Sequence, residues 1–150
     1  MAIHQEATFP VPPERIYELL IDAARFSTLV NRRGRGGGTE GAWFSLFGDQ
    51  LEGRQIELVR PERVVQAWRR SEWEQGVYSI VRFTLAPEGA GTRVVIDQDG
   101  YPANFHDTLT ESWRPMYFEP MARHFSHALG AFPSGLSGVD PALSESVEPI

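Results

Sequence analysis

The sequence predicts an α+β fold, a curved antiparallel sheet with one long carboxy-terminal helix lying across it. From Ala42 to Gln98, short β-prone runs are separated by turns, the pattern of an antiparallel meander. From Pro102 to Gly130, the apolar residues Phe105, Leu109, Trp113, Met116, Tyr117, Met121, Phe125 and Leu129 recur every three or four positions. That period places them on one side of a helix, a stripe that has to be buried against something. Strands and helices are segregated along the chain, which argues against alternating α/β.

Taken in order, Ile3 to Phe9 reads as a first strand. Pro10, Pro12 and Pro13 end it and open a helix, with Pro13 and Glu14 suited to the first turn and Ile16, Leu19 and Leu20 on the buried side. A second short helix covers Ala23 to Leu29. Asn31 to Gly41, rich in glycine and arginine, is expected to form a loop with an irregular strand. Strands follow at Trp43–Phe47, Leu51–Val59, Val64–Arg70, Tyr78–Leu85 and Thr92–Gln98, with Val81, Phe83 and Leu85 sharing one face and Val94 and Ile96 another. The long helix, roughly 27 residues at about 1.5 Å each, would span of order 40 Å. Pro115 and Pro120 each remove an amide donor, so a bend or break is expected between Glu111 and Pro120. Thr108 and Glu111 have the spacing of a capping box, and Gly130 suits a carboxy-terminal stop. One domain is expected over residues 1–130, with residues 131–150, rich in Pro, Ser and Gly, as a flexible tail.

Composition narrows the function. A chain of 150 residues is long enough for one sizeable core. It has no cysteine, so disulfides and thiolate metal sites are excluded. The formal charge of −6 argues against nonspecific nucleic-acid or anionic-membrane binding. No apolar run approaches membrane-spanning length and the amino terminus has no signal pattern, so a cytoplasmic protein is expected. All 14 basic residues are arginine, which reads as codon bias of a GC-rich genome.

Chemical motifs are sparse. Gly36, Gly38 and Gly41 match GxGxxG, but a helix precedes them and a strand follows, the reverse of a dinucleotide site. Arg32, Arg33 and Arg35 beside them suit a phosphate or carboxylate, or a solvated loop. His124 and His127, with Glu119 a turn earlier, fall short of three supported metal ligands, and basic groups suit the last turn of a helix anyway. Gly135 to Gly138 falls short of a nucleophile elbow. His106, Glu111, Tyr117, Asp97 and Arg82 are acid/base candidates without a recognisable spaced pair. No cofactor or metal is expected.

Several segments taken together carry a family resemblance: Gly41-Ala42-Trp43-Phe44-Ser45-Leu46-Phe47-Gly48, Gly53, Glu57-Leu58-Val59-Arg60-Pro61, Val64-Val65-Gln66-Ala67-Trp68-Arg69, Phe83, Gly91-Thr92, Gly100-Tyr101-Pro102, Trp113, Tyr117 and Glu119-Pro120. From about Ile3 to Leu129 the chain resembles the family named after the activator of the heat-shock protein 90 ATPase. The resemblance implies the START-like (SRPBCC) superfamily and its helix-grip fold, a curved sheet wrapped around the carboxy-terminal helix, usually enclosing an apolar cavity. It also implies that Pro120 is tolerated within the helix. Eukaryotic members stimulate a chaperone ATPase and carry an additional amino-terminal domain, whereas small stand-alone members look like bacterial proteins. Ala42, Asp49, Ser112 and Phe118 stand where that family more usually has Gly, Gly, Gly and Trp, which bears on the shape of the cavity.

The leading expectation is non-enzymatic binding of a small hydrophobic or aromatic molecule between sheet and helix. Its candidate ligand-binding residues are Phe44, Trp68, Trp73, Tyr78, Phe83, Trp113, Tyr117 and Met121, aromatic or apolar groups of the kind that line small-molecule sites. The alternatives are a chaperone-linked or stress-related interaction module, and a cyclase, isomerase or hydrolase that would need a polar pair such as His106 with an acid. Either a monomer or a homodimer is compatible with the sequence.

Overall fold

The computed structural model describes residues 2–128. Strand β1 (Ala2–Phe9) is followed by helices α1 (Pro13–Ile21) and α2 (Ala23–Val30), then by β2 (Arg35–Gly36), β3 (Trp43–Leu46), β4 (Leu51–Val59), β5 (Arg63–Arg70), β6 (Ser79–Glu88) and β7 (Gly91–Asp99). A 3-10 turn (Ala103–Phe105), α3 (His106–Trp113), a π turn (Arg114–Phe118) and α4 (Glu119–Ala128) complete the order. The tail expected over residues 131–150 lies outside the described residues, as do Leu129 and Gly130.

The seven strands form one curved antiparallel sheet in the order β1-β7-β6-β5-β4-β3-β2. Alternation decides its faces. Val64, Gln66 and Trp68 of β5, Val81, Phe83 and Leu85 of β6, and Val94, Ile96 and Gln98 of β7 are all buried, while their neighbours are more exposed. A bulge between Gln55 and Glu57 interrupts the β4–β5 register and leaves Ile56 half exposed. At the turn between the two helices, Asp22 caps α2 by accepting from the Arg25 N–H at 3.1 Å. Asn31, left-handed at φ 55°, ends that helix with its N–H on Ser27 O.

The carboxy-terminal helix crosses the concave face. Near its start Phe105 meets Trp73 of the β5–β6 loop, with ring centroids 5.6 Å apart. In the middle Trp113 stacks on Trp68 at 5.0 Å, and at the far end Phe118 and Phe125 pack on Phe9 of β1 at 6.3 and 6.1 Å. The expected irregularity is a π turn, in which the Glu119 N–H reaches back five residues to Arg114 O. Pro115 lies inside this wide turn and Pro120 just beyond it, and neither supplies an N–H, so the helix continues without the regular bonds they would break. The capping box expected at Thr108 and Glu111 is not used. The 3-10 turn after Pro102, closed by Phe105 N–H on Pro102 O at 2.9 Å, starts the helix earlier, and Thr108 lies inside α3.

Candidate functional site

Tyr117 is the hub beneath the helix. Its ring lies 4.7 Å from Phe26, 4.8 Å from Trp113, 5.6 Å from Trp68, 6.0 Å from Phe83 and 6.1 Å from Phe47. Offset and tilted ring pairs of this kind add about 0.5–1.5 kcal/mol each beyond their buried area. Together they fill most of the space where the sequence led to an open cavity. Small voids of about 30 Å³ and about 10 Å³ lie on either side of Tyr117. Each is of the order of one water, since about 10–15 Å³ admits one.

The larger void opens between the helix and the β3–β4 hairpin. Leu51, Leu109, Met116, Trp68, Trp113 and Tyr117 wall it, and Gln50, Arg70 and Ser112 supply polar groups to its lining. The smaller, inner void lies towards α1 and α2, against Leu20, Ala23, Phe26, Phe44, Gln55 and Gln66. Tyr117 lines both. Burial raises the Tyr117 phenol above its usual range.

The inner void has a polar wall set by strand alternation. Gln66 Nε2 donates to Leu20 O at 3.3 Å and to Gln55 Oε1 at 3.0 Å, while Gln55 Nε2 donates to Ile21 O at 3.3 Å. Those two carbonyls close α1 and have no partner within the helix, so the two side chains fasten its end to the sheet. Trp68 Nε1 donates to Gln66 Oε1 at 2.8 Å. A second chain runs from Trp113 Nε1 to Gln98 Oε1 at 3.0 Å and from Gln98 Nε2 to Ser79 Oγ at 3.1 Å. Both stacked tryptophans are thus oriented by buried amides. Gly53 makes room nearby, because a Cβ there would fall 1.9 Å from Ala67 O and 3.0 Å from the Phe44 ring.

Of the residues expected at a ligand, Trp68, Trp113 and Tyr117 meet at the outer void, and Phe44 and Tyr117 at the inner one. Phe83 packs beneath Trp113 and Tyr117, and Met121 is fully buried in the core. The other two lie elsewhere. Tyr78 is 45% exposed, with the Arg69 guanidinium over its ring, because it falls in the loop just before the inward Ser79 that starts β6. Trp73 is buried outside the helix–sheet space, in a separate open cleft of about 400 Å³ with Glu72, Glu74 and Tyr101, because the β5–β6 loop carries it past the strand end. Phe47, Leu51, Leu109 and Met116 were not singled out as ligand residues, nor were Gln55 and Gln66. The two glutamines were legible as polar residues on inward strand positions.

The acid/base candidates are dispersed. His106 Nδ1 bonds the Tyr101 hydroxyl at 2.6 Å instead of an acid, Glu111 is exposed, and Arg82 pairs with Asp97 at 3.5 Å. Arg33 pairs with Asp49 at 2.9 Å and Arg32 donates to Phe47 O at 3.0 Å, so these arginines pin the β3–β4 turn. Among the described residues no group of three or more His, Asp or Glu is placed to hold a metal, and the His127 side chain lies outside them. No helix among them is long and apolar enough to cross a membrane.

The family described as "Activator of Hsp90 ATPase homolog 1-like protein" matches residues 10–126. The chain belongs to this family. It is 26% identical to an activator of 90 kDa heat shock protein ATPase homolog from Dictyostelium discoideum, over 83% of this chain and 33% of that protein. The chain spans about a third of the length of the curated relatives it matches. An HSP90 activator from Plasmodium falciparum has a similar structure, with TM-score 0.65 and 24% identity over 69% of this chain and 75% of that one. The Aha1 dimer from Colwellia psychrerythraea is also similar, with TM-score 0.71 and 15% identity over 83% of this chain and 96% of that one. These likenesses bear out the helix-grip architecture.

Proposed function

We propose that this protein binds a small hydrophobic or aromatic molecule between the sheet and the carboxy-terminal helix, without transforming it. The observation that carries this is the Tyr117 hub, which adjoins two voids beside a wall of oriented amides. Small-molecule sites usually join apolar and aromatic walls to a few placed polar groups, the mixture found here. In the present arrangement the voids are too small for such a ligand. Binding therefore selects a more open state in which the π turn and Met116 give way. Native mass spectrometry of freshly purified protein, followed by organic extraction, tests this. A discrete co-purifying mass is expected. An apo mass that stays apo against a panel of hydrophobic metabolites overturns it.

A second reading is an interaction module for a chaperone. Two observations favour it: relatives whose names describe activators of a heat-shock protein ATPase, and the outward-facing Ile56 and Ile80, 51% and 48% exposed. Stimulation of a purified Hsp90-type ATPase by this chain would support that role, and an unchanged rate at saturating chain would count against it. The Colwellia dimer extends the proposal to self-association, which sedimentation would test.

A further inference from the structure

We infer that Tyr117 is a movable partition, and that the two voids it separates are one elongated site for a flat apolar molecule bearing a hydroxyl at its leading end. This rests on the ligand-binding reading above and goes further, naming the inner subsite, the residues that select for it and the ligand chemistry.

The geometry gives the partition. Tyr117 is common to the outer void, whose walls are mostly apolar, and the inner void, which holds Gln55 and Gln66. The contacts that hold its ring are aromatic ones, to Phe26, Trp68 and Trp113. It sits in the π turn between Pro115 and Pro120, where the helix has exchanged its regular ladder for a five-residue bond. Removing a ring of this size from an apolar wall leaves space of the order that admits benzene, about 150 Å³ in an engineered cavity.

The amide wall gives the chemistry. Gln66 Nε2 spends both hydrogens, on Leu20 O and Gln55 Oε1. Gln55 Nε2 spends one, on Ile21 O. Each carbonyl accepts one bond, from Trp68 or from Gln66. One N–H of Gln55 and a lone pair on each carbonyl are left over. A hydroxyl, which both donates and accepts, matches that remainder, and an apolar edge does not. The aromatic walls suit a flat body behind it.

The probes are naphthalene and 2-naphthol, which differ by one hydroxyl, titrated into isotopically labelled full-length protein. 2-Naphthol is expected to bind about tenfold more tightly, the factor given by roughly one net hydrogen bond. Its ring protons should show nuclear Overhauser contacts to the Gln55 and Gln66 side-chain amides and to Phe44. In Tyr117→Ala, association of both probes should accelerate at least tenfold. Equal affinities, with contacts confined to Leu51, Leu109 and Met116, would overturn the inference and leave the ligand-binding reading intact. Failure of both probes to bind wild type and Tyr117→Ala alike would overturn both. Should Tyr117→Ala not fold, the affinity ratio and the contacts in wild type still decide.

Discussion

Replacing Gln66 by methionine keeps the length and approximate volume of the side chain and removes its amide. In the structure that amide serves three buried groups: it accepts from Trp68 Nε1 at 2.8 Å and donates to Gln55 Oε1 at 3.0 Å and Leu20 O at 3.3 Å. Gln66 is 3% exposed, so water does not replace those bonds. Each buried group left unmade costs about 1–3 kcal/mol. Taking the lower end for three groups, Gln66→Met should lose roughly 3 kcal/mol, a large share of the 5–15 kcal/mol typical of a domain. Urea unfolding followed by tryptophan fluorescence measures this directly. The exposed Gln75→Met should change stability by no more than about 0.5 kcal/mol. Combining Gln66→Met with Trp68→Phe, which removes the stranded indole N–H, should cost less than the sum of the single changes. A loss under about 1 kcal/mol for Gln66→Met, or strict additivity in the cycle, would refute the claim that the amide wall is a satisfied network.

Three further outcomes are expected. Gly53→Ala should destabilise by more than about 3 kcal/mol in thermal melts, since the new Cβ meets Ala67 O at 1.9 Å on the paired strand; a near-neutral result would contradict that close approach. Glu119 is fully buried with neither carboxylate oxygen bonded among the described residues, and burial raises its pKa above 4.5 while Arg123 and Arg114 oppose the shift. The unfolded chain then ionises first, so stability falls as pH rises from 4.5 through the folded value, and Glu119→Gln should be more stable than wild type at pH 7 with the gap closing towards pH 4. His4 is raised above 6.5, first by its hydrogen bond to Asp97 and then by Glu6. Its contribution is present below 6.5 and lost as pH rises through the folded value. Nuclear magnetic resonance titration should place His4 above 6.5, and Asp97→Asn should lower it.

The fold was legible because its signals are periodic. The strand run Val81, Phe83, Leu85 and the helical run Leu109, Trp113, Tyr117, Met121, Phe125 each gather their apolar groups on one face before any partner is known. The two prolines marked the irregularity in the helix, but only the structure shows that a π turn absorbs them. The site was less legible, for two physical reasons. Tyr78 and Trp73 resemble core aromatics in composition, yet lie where the β5–β6 connection leaves the sheet, and sequence does not say where a strand stops pointing inward. The openness of a cavity depends on how rings interdigitate across elements distant in sequence, such as Phe26, Phe47 and Tyr117. Gln55, Gln66 and Gln98 were the readable clue, because a polar residue on an inward strand position needs a partner inside.

The central claim is that an apolar molecule enters between helix and sheet. Methyl-resolved magnetic resonance of the protein, titrated with a panel of small aromatic and alicyclic compounds, tests it most directly. The account predicts saturable shifts centred on Leu51, Leu109 and Met116, the methyl-bearing walls of the outer void. No shifts at millimolar compound, or shifts confined to Ile56 and Ile80 on the outer face of the sheet, would contradict it.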